Sequence, residues 1–162
     1  MSLDFLVRDA DLADAGDARA LVEVLDSYAS DPRGGGVPLA TDVRARLVPM
    51  LRSHSTTLAL LAFLDNEPIG LSIGFWGISS FRAALLLNIH DLAVVPAWRG
   101  KGVGRALLAA AEKRARERGC CKLTLEVQDD NTPARILYER FGFEDAIYGN
   151  SGPTRFLNKL LV

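Results

Sequence analysis

Polar and apolar residues alternate at the start of the chain, then settle into helical spacing. Leu3, Phe5 and Val7 share one side of an alternating segment, which predicts a first strand. Ala18, Leu21, Val22, Leu25 and Tyr28 recur with a helical period and predict a helix ending near Ala29. Asp14 or Asp17 is placed to start it, because a short acidic side chain accepts from the unpaired N–H groups of a first turn. Ser30 to Pro38 is a loop by its glycines and prolines. Thr41 can cap a second helix, and Pro49 should break or kink it. Thr57 to Leu64 reads as a buried strand, Asp65-Asn66-Glu67 as a hairpin turn, and Ile69 to Trp76 as the returning strand. Gly77 to Ala83 is a predicted loop.

The second half changes rhythm. Leu85 to Val95 is a fourth strand, and Val103 to Arg118 a helix with Leu107, Leu108, Ala111 and Ala115 inward and Gly119 as its stop. Leu123 to Val127 is a fifth strand. Pro133 suits the first turn of a short helix capped by Asn131 or Thr132, and Gly142 ends it. Phe143 to Tyr148 and Phe156 to Leu161 are expected as last strands. The strand–helix–strand order predicts a parallel pair joined by a crossover.

A chain of 162 residues is expected to form one domain, residues 1–162, with a real core. Nineteen basic and twenty acidic residues leave a net charge of −1, so no nucleic-acid footprint is expected. Arg114, Arg116 and Arg118 are the densest basic run and read as a solvated helix end. The adjacent Cys120 and Cys121 read as reduced thiols at the start of a buried strand, which suits the cytoplasm. They are too few for a structural zinc site, and no metal is expected. No membrane segment is expected, because no apolar run is long enough to span a bilayer and Met-Ser-Leu-Asp-Phe lacks a basic leader.

The chemistry concentrates after the fourth strand. Arg99-Gly-Lys-Gly-Val-Gly-Arg105 runs from a turn at Pro96 into a helix. Such a loop gathers backbone N–H groups, and the following helix adds its positive dipole end. Together they form an anion site suited to phosphate or pyrophosphate. Gly100, Gly102 and Gly104 remove Cβ atoms from the approach, and Arg99, Lys101 and Arg105 add positive charge. A dinucleotide fingerprint would need Gly-x-Gly-x-x-Gly and a later acidic residue, which are not the pattern here.

Arg99-x-x-Gly102-x-Gly104, followed by Asn131, Ala134, Tyr138 and Phe141-Gly142-Phe143, resembles the GNAT superfamily of acyl-CoA-dependent N-acetyltransferases. The resemblance is good over roughly Leu85 to Glu144 and loose over the N-terminal half. It implies an α/β fold: one twisted mixed sheet of about seven strands with helices on both faces. It also implies that acetyl-CoA is the acyl donor. Its pyrophosphate would lie on Arg99, Gly100, Lys101, Gly102, Val103, Gly104 and Arg105. Its pantetheine arm would run beside Leu92, Ala93 and Val94, where the fourth and fifth strands part, as an added strand would. A bulge near this point would free the backbone groups required. Asn131 would contact the arm, cap its helix or do both, with Ala134 beside it.

Tyr138 stands at the family position whose hydroxyl faces the CoA sulfur. Taken alone it reads as a packing residue; in register with Asn131 and Gly142 it reads as the acid that protonates the departing thiolate. The amine also needs a base. His90, on the fourth strand with the parity of Asn88 and Leu92, is one candidate, because an imidazole is the side chain best suited to take a proton at neutral pH. Glu126, twelve positions before Tyr138 on the fifth strand, is the rival, at a spacing found in peptide-acetylating relatives. Asp91, on the opposite parity, looks structural. Some polyamine-acetylating relatives carry Glu-Asp where this chain has His90-Asp91, and share Ser79-Ser80-Phe81. The change to His weakens a polycation reading.

The expected function is transfer of acetyl from acetyl-CoA to a primary amine of a small molecule. A protein N-terminal acetyltransferase and a non-catalytic acyl-CoA-binding regulatory domain are the alternatives. Trp76 to Phe81 and Asp31 to Pro38 are expected on the acceptor side. Self-association as a homodimer stands as an open expectation.

Overall fold

The computed structural model describes residues 4–161, and the chain divides after Leu125 into two units. The first contains β1 (Leu6–Asp9), α1 (Ala15–Ala29), α2 (Thr41–Ser53), β2 (Thr57–Leu64), β3 (Glu67–Ser79), β4 (Ala84–Val94), α3 (Val103–Glu117) and β5 (Leu123–Leu125). The strands lie in chain order in one five-stranded sheet, antiparallel from β1 to β4 and parallel between β4 and β5. The parallel pair with a helix between is as expected. Phe5 and Val7 are half-buried and Leu6 exposed, as the alternation predicts; Leu3 lies outside the described residues.

Local chemistry accounts for most boundaries. The Asp14 carboxylate accepts from the Asp17 N–H at 2.9 Å, so Asp14 is the cap of α1. Asp17 is buried instead, and Arg8 grips its carboxylate with two hydrogen bonds of 2.6 and 2.7 Å. Asp65 and Asn66 both take positive φ, 49° and 67°, the requirement of a two-residue turn matching the strand twist. The hairpin therefore closes at Leu64 and Glu67. Gly119, at φ 71°, stops α3: its N–H reaches Arg116 O, and the Cys120 N–H reaches Ala115 O.

Three expectations in this unit are corrected. Thr41 is the first residue of α2 and not its cap; Ala40 precedes the helix without a side-chain bond. Of the break or kink expected at Pro49, the break does not occur, and α2 runs on to Ser53. Val48 and Leu51 beside it are buried against the sheet, and that packing holds the turn despite the N–H proline lacks. Gly77 to Ser79 belong to β3, which pairs as far as Ser79 with Ala84, so the connection shrinks to Ser80–Ala83.

The sheet buries both faces. On one, Leu61, Leu71, Ile73 and Ala93 pack with Leu21 and Val24 of α1 and Val48 and Leu51 of α2. On the other lies α3, with Val103, Leu107, Leu108, Ala111 and Ala115 buried as its spacing predicts. A Cβ on Gly70 would stand 3.0 Å from Val103 Cγ1 and 3.1 Å from Leu107 Cδ1, so this glycine lets α3 close on the sheet.

The second unit contains α4 (Thr132–Phe141). Its Asn131 cap accepts from the Ala134 N–H at 3.4 Å, Pro133 sits in the first turn, and Gly142 ends it at φ 101°. Beyond it, the described residues form one isolated bridge, Ile147 with Pro153. The strands expected at 143–148 and 156–161 do not form, so the sheet has five strands rather than about seven. An apolar run becomes a strand only when a neighbour takes up its backbone hydrogen bonds. Phe156, Leu157, Leu160 and Leu161 are exposed and have no ladder.

Candidate active site

The register of β3 against β4 slips by one residue at a single point. Ile73 pairs with Asp91, whereas Gly74 pairs with Ile89. His90 is the extra residue, and β4 bulges there. Cross-strand partners share a face, so the slip reverses parity along β4. Asn88, opposite Phe75, stays on the α1–α2 face, and Asp91, opposite Ile73, joins it. The expectation that Asp91 points away from His90 is therefore corrected, and Leu92, opposite Ser72, turns to the other face.

On the α1–α2 face a cavity of about 430 Å³ opens over this bulge. Leu47, Met50 and Leu51 of α2 and His54, the residue that follows it, form one wall, and Ile73 and Phe75 of β3 form the floor. His90 and Asp91 supply the β4 side. The Phe75 ring stands between two imidazoles, with centroids 5.6 Å from His54 and 5.7 Å from His90. His90 is exposed, whereas Asp91 is half-buried. Burial raises the proton affinity of the Asp91 carboxyl, and the charge of His90 opposes that more weakly. The acceptor side was expected at Trp76–Phe81 and Asp31–Pro38; neither segment lines this cavity. Trp76 pairs opposite Leu87 on the α3 face, with the Arg118 guanidinium 4.6 Å over its ring.

The bulge also ends the β4–β5 ladder. Pairing covers only Leu87–Ile89 and Leu123–Leu125, held at one side by Asn88 Nδ2 donating to Thr124 Oγ1 at 3.1 Å. The next residues of β4, Leu92, Ala93 and Val94, have register partners on β3 alone. The Val95 N–H donates to Ile69 O of β3. Alternation then aims the backbone groups of Leu92 and Val94 at the open edge. The bulge implied by the family resemblance is therefore present, at His90. Glu126 lies one residue past the end of β5 and is exposed, so it is not on the fifth strand as expected.

A 3₁₀ turn, Pro96–Trp98, links β4 to the glycine loop. Gly100 and Gly102 take φ of 73° and 92°, and a Cβ built on either meets no protein atom within 4 Å. Gly102 caps α3 with no side-chain bond to its first N–H groups. The first turn of α3 thus presents backbone donors to open space, which fits an anion such as a pyrophosphate. Gly104 is the second residue of α3 and needs no unusual φ.

Arg99 and Lys101 are already engaged. Arg99 Nη1 meets Asp31 Oδ2 at 2.8 Å, and Arg99 Nε donates to Val94 O at 3.0 Å. The Arg33 N–H and then Arg99 hold the Asp31 carboxyl below the usual carboxylate range. The Lys101 ammonium stands 4.6 Å over the Trp98 ring. Arg114, expected on a solvated helix end, is bonded to Asp9 of β1 at 2.9 Å.

In the second unit Tyr138 is half-buried on α4, its ring edge-on to Phe143 at 5.8 Å. Phe143 in turn stacks on Phe141. Cys120 and Cys121 are free and half-buried, and burial pushes the Cys120 thiol up. Among the described residues, no cluster of three or more His, Cys, Asp or Glu could hold a metal ion. None of the described helices is long and apolar enough to cross a membrane.

Residues 21–143 match the acetyltransferase (GNAT) family. The fold resembles solved structures over nearly the whole chain. A transcriptional regulator from Bacillus halodurans C-125 aligns with TM-score 0.77 at 21% identity, covering 93% of this chain and 100% of that one. A ribosomal-protein-alanine N-acetyltransferase from Brucella melitensis biovar Abortus 2308 aligns with TM-score 0.71 at 23% identity, covering 94% and 100%. An aminoglycoside acetyltransferase from an uncultured soil metagenomic sample aligns with TM-score 0.69 at 18% identity, covering 94% and 99%.

Proposed function

This chain belongs to the acetyltransferase (GNAT) family, whose members use acetyl-CoA as acyl donor and act on amine acceptors, and we propose that it acetylates a primary amine of a small molecule. The observation that carries the reading is the continuity of β4. The strand leads from a cavity at His90 and Asp91, along an open edge at Leu92 to Val94, into the glycine loop before α3. Acceptor, thioester arm and pyrophosphate need that sequence of surfaces. A cavity of about 430 Å³ suits a small molecule better than a peptide.

Acetyl-CoA supplies a thioester carbonyl; transfer forms an N–C bond to the amine and breaks the C–S bond. The N–H groups of the first turn of α3 hold the pyrophosphate, and Lys101 and Arg105 add charge. The N–H and C=O of Leu92 and the N–H of Val94 pair with the pantetheine arm, with Ala93 keeping β4 bonded to β3. His90 takes the amine's proton; it is exposed at the bulge and can pass that proton to water. Glu126 remains the rival base. The Tyr138 hydroxyl gives its proton to the leaving sulfur, and Asn131 and Ala134 line the arm beside it.

The test is release of free CoA from acetyl-CoA, corrected for hydrolysis, over small amines, polyamines, aminoglycosides and peptides. Turnover with a small amine supports the reading. Turnover confined to peptides moves the function to protein N-termini. Tight acetyl-CoA binding with no acceptor at all makes the chain a binding domain.

A further inference from the structure

The cavity over the β4 bulge has a composition that few amines match. Its wall and floor include Leu47, Met50, Leu51, Ile73 and Phe75, whose side chains offer nothing stronger than the weak thioether acceptor of Met50. Its polar groups are confined to two imidazoles and one carboxylate. Among the described residues Asp91 is the only acid in the lining, and the bulge at His90 is what turns it inward.

We propose that this cavity selects acceptors carrying a single primary ammonium group on an apolar body of about ring size, with Asp91 holding the ammonium end. The proposal rests on the acetyltransferase reading of the site and names its acceptor class. An apolar body is favoured because it displaces water from the leucine, isoleucine and phenylalanine surface. A ring is favoured by the aromatic floor, where His54, Phe75 and His90 already stand at tilted-ring spacing. A polyamine would carry a second and third charge into a lining that holds no second carboxylate, and an aminoglycoside would bury hydroxyls against groups that cannot pair with them. Asp91 suits its part because it is half-buried, so water screens it less than a surface acid. Its raised proton affinity records the same burial, and an incoming ammonium relieves it.

The experiment is calorimetric binding to the full chain with CoA present instead of acetyl-CoA, so that no turnover occurs. The probes are propylamine, hexylamine, 2-phenylethylamine, 2-phenylethanol, spermidine and kanamycin. Binding should tighten from propylamine to hexylamine by roughly threefold to fourfold per methylene, and 2-phenylethylamine should exceed spermidine and kanamycin by tenfold or more. Asp91→Asn should weaken 2-phenylethylamine by roughly tenfold to a hundredfold and leave the uncharged 2-phenylethanol unchanged. The affinity ladder of the unaltered chain stands even if the variant does not fold. Tighter binding of spermidine or kanamycin, no binding of any amine, or an Asp91→Asn variant that binds 2-phenylethylamine normally would each overturn the proposal. Failure of the acetyltransferase reading looks different: 2-phenylethylamine binds as described, yet acetyl-CoA is never consumed.

Discussion

Asp31 and Arg99, 68 residues apart in the chain, form an ion pair of 2.8 Å between the loop after α1 and the glycine loop before α3. The residue expected to meet the pyrophosphate is therefore shared with a carboxylate and with the Val94 carbonyl. Removing the acid should favour a polyanion. Asp31→Asn should bind acetyl-CoA roughly twofold to fivefold more tightly at low salt, and the gain should fade at high salt. Arg99→Gln should bind it less tightly. Calorimetry at two ionic strengths measures both, and equal loss in the two variants would make the pair a brace for the loop rather than a competitor of the ligand.

Gly102 and Gly104 separate backbone strain from ligand approach. Gly102 holds φ 92°, so Gly102→Ala should cost about 1–2 kcal/mol of stability besides weakening acetyl-CoA. Gly104 is helical, so Gly104→Ala should leave stability equal or raise it by about 0.5 kcal/mol while still weakening acetyl-CoA. Thermal melting with and without acetyl-CoA reads both effects, and a full ligand-induced shift in both variants would remove this loop from the site.

Tyr138→Phe keeps the ring against Phe143 and deletes only the hydroxyl. If that hydroxyl protonates the thiolate, kcat should fall by roughly tenfold to a thousandfold with acetyl-CoA affinity nearly unchanged. An unchanged kcat under chemistry-limited conditions would leave Tyr138 as a packing residue.

The base is assigned by comparing His90→Gln with Glu126→Gln. We expect the larger loss of kcat/KM at His90, which lines the cavity, than at Glu126, which lies exposed beyond β5. An acceptor amine of low pKa, already neutral in part, should rescue a variant that lacks the base and not one with disturbed packing. Rescue confined to Glu126→Gln would reverse the assignment.

Stability should depend on pH through Asp17. Two hydrogen bonds from Arg8, opposed by burial and aided by the Asp11 N–H, hold its carboxyl below the usual range. A lowered folded-state pKa adds stability that is full above the unfolded pKa of about 3.9 and is lost as pH falls through the lower folded value. Asp17→Asn should cost roughly 1.5–3 kcal/mol at neutral pH. Chemical unfolding should find that gap constant from pH 7 to about 5 and shrinking below about 4. A gap that widened in acid would contradict the assignment.

Much of this molecule was legible along the chain because its signals are local. Asp14 and Asn131 cap helices through bonds within a few residues, and Gly119 and Gly142 stop them by adopting positive φ. The periodicity that buries Leu107, Leu108 and Ala111 is a property of α3 itself. The glycine loop is also local: its open donors follow from Gly100 and Gly102 beside a helix start. What the tertiary structure alone decided is whatever depends on a partner strand or helix. The bulge at His90 exists only as a mismatch of β4 with β3, so the inward turn of Asp91 could not be read from alternation in one strand. Leu47 and His54 became cavity walls because packing carried α2 through Pro49 and over that bulge. Arg99 was visible as a charge, but its partner Asp31 comes from a distant loop. The apolar residues after Phe143 had the composition of strands without a ladder to join, and pairing, not composition, decides whether a strand forms.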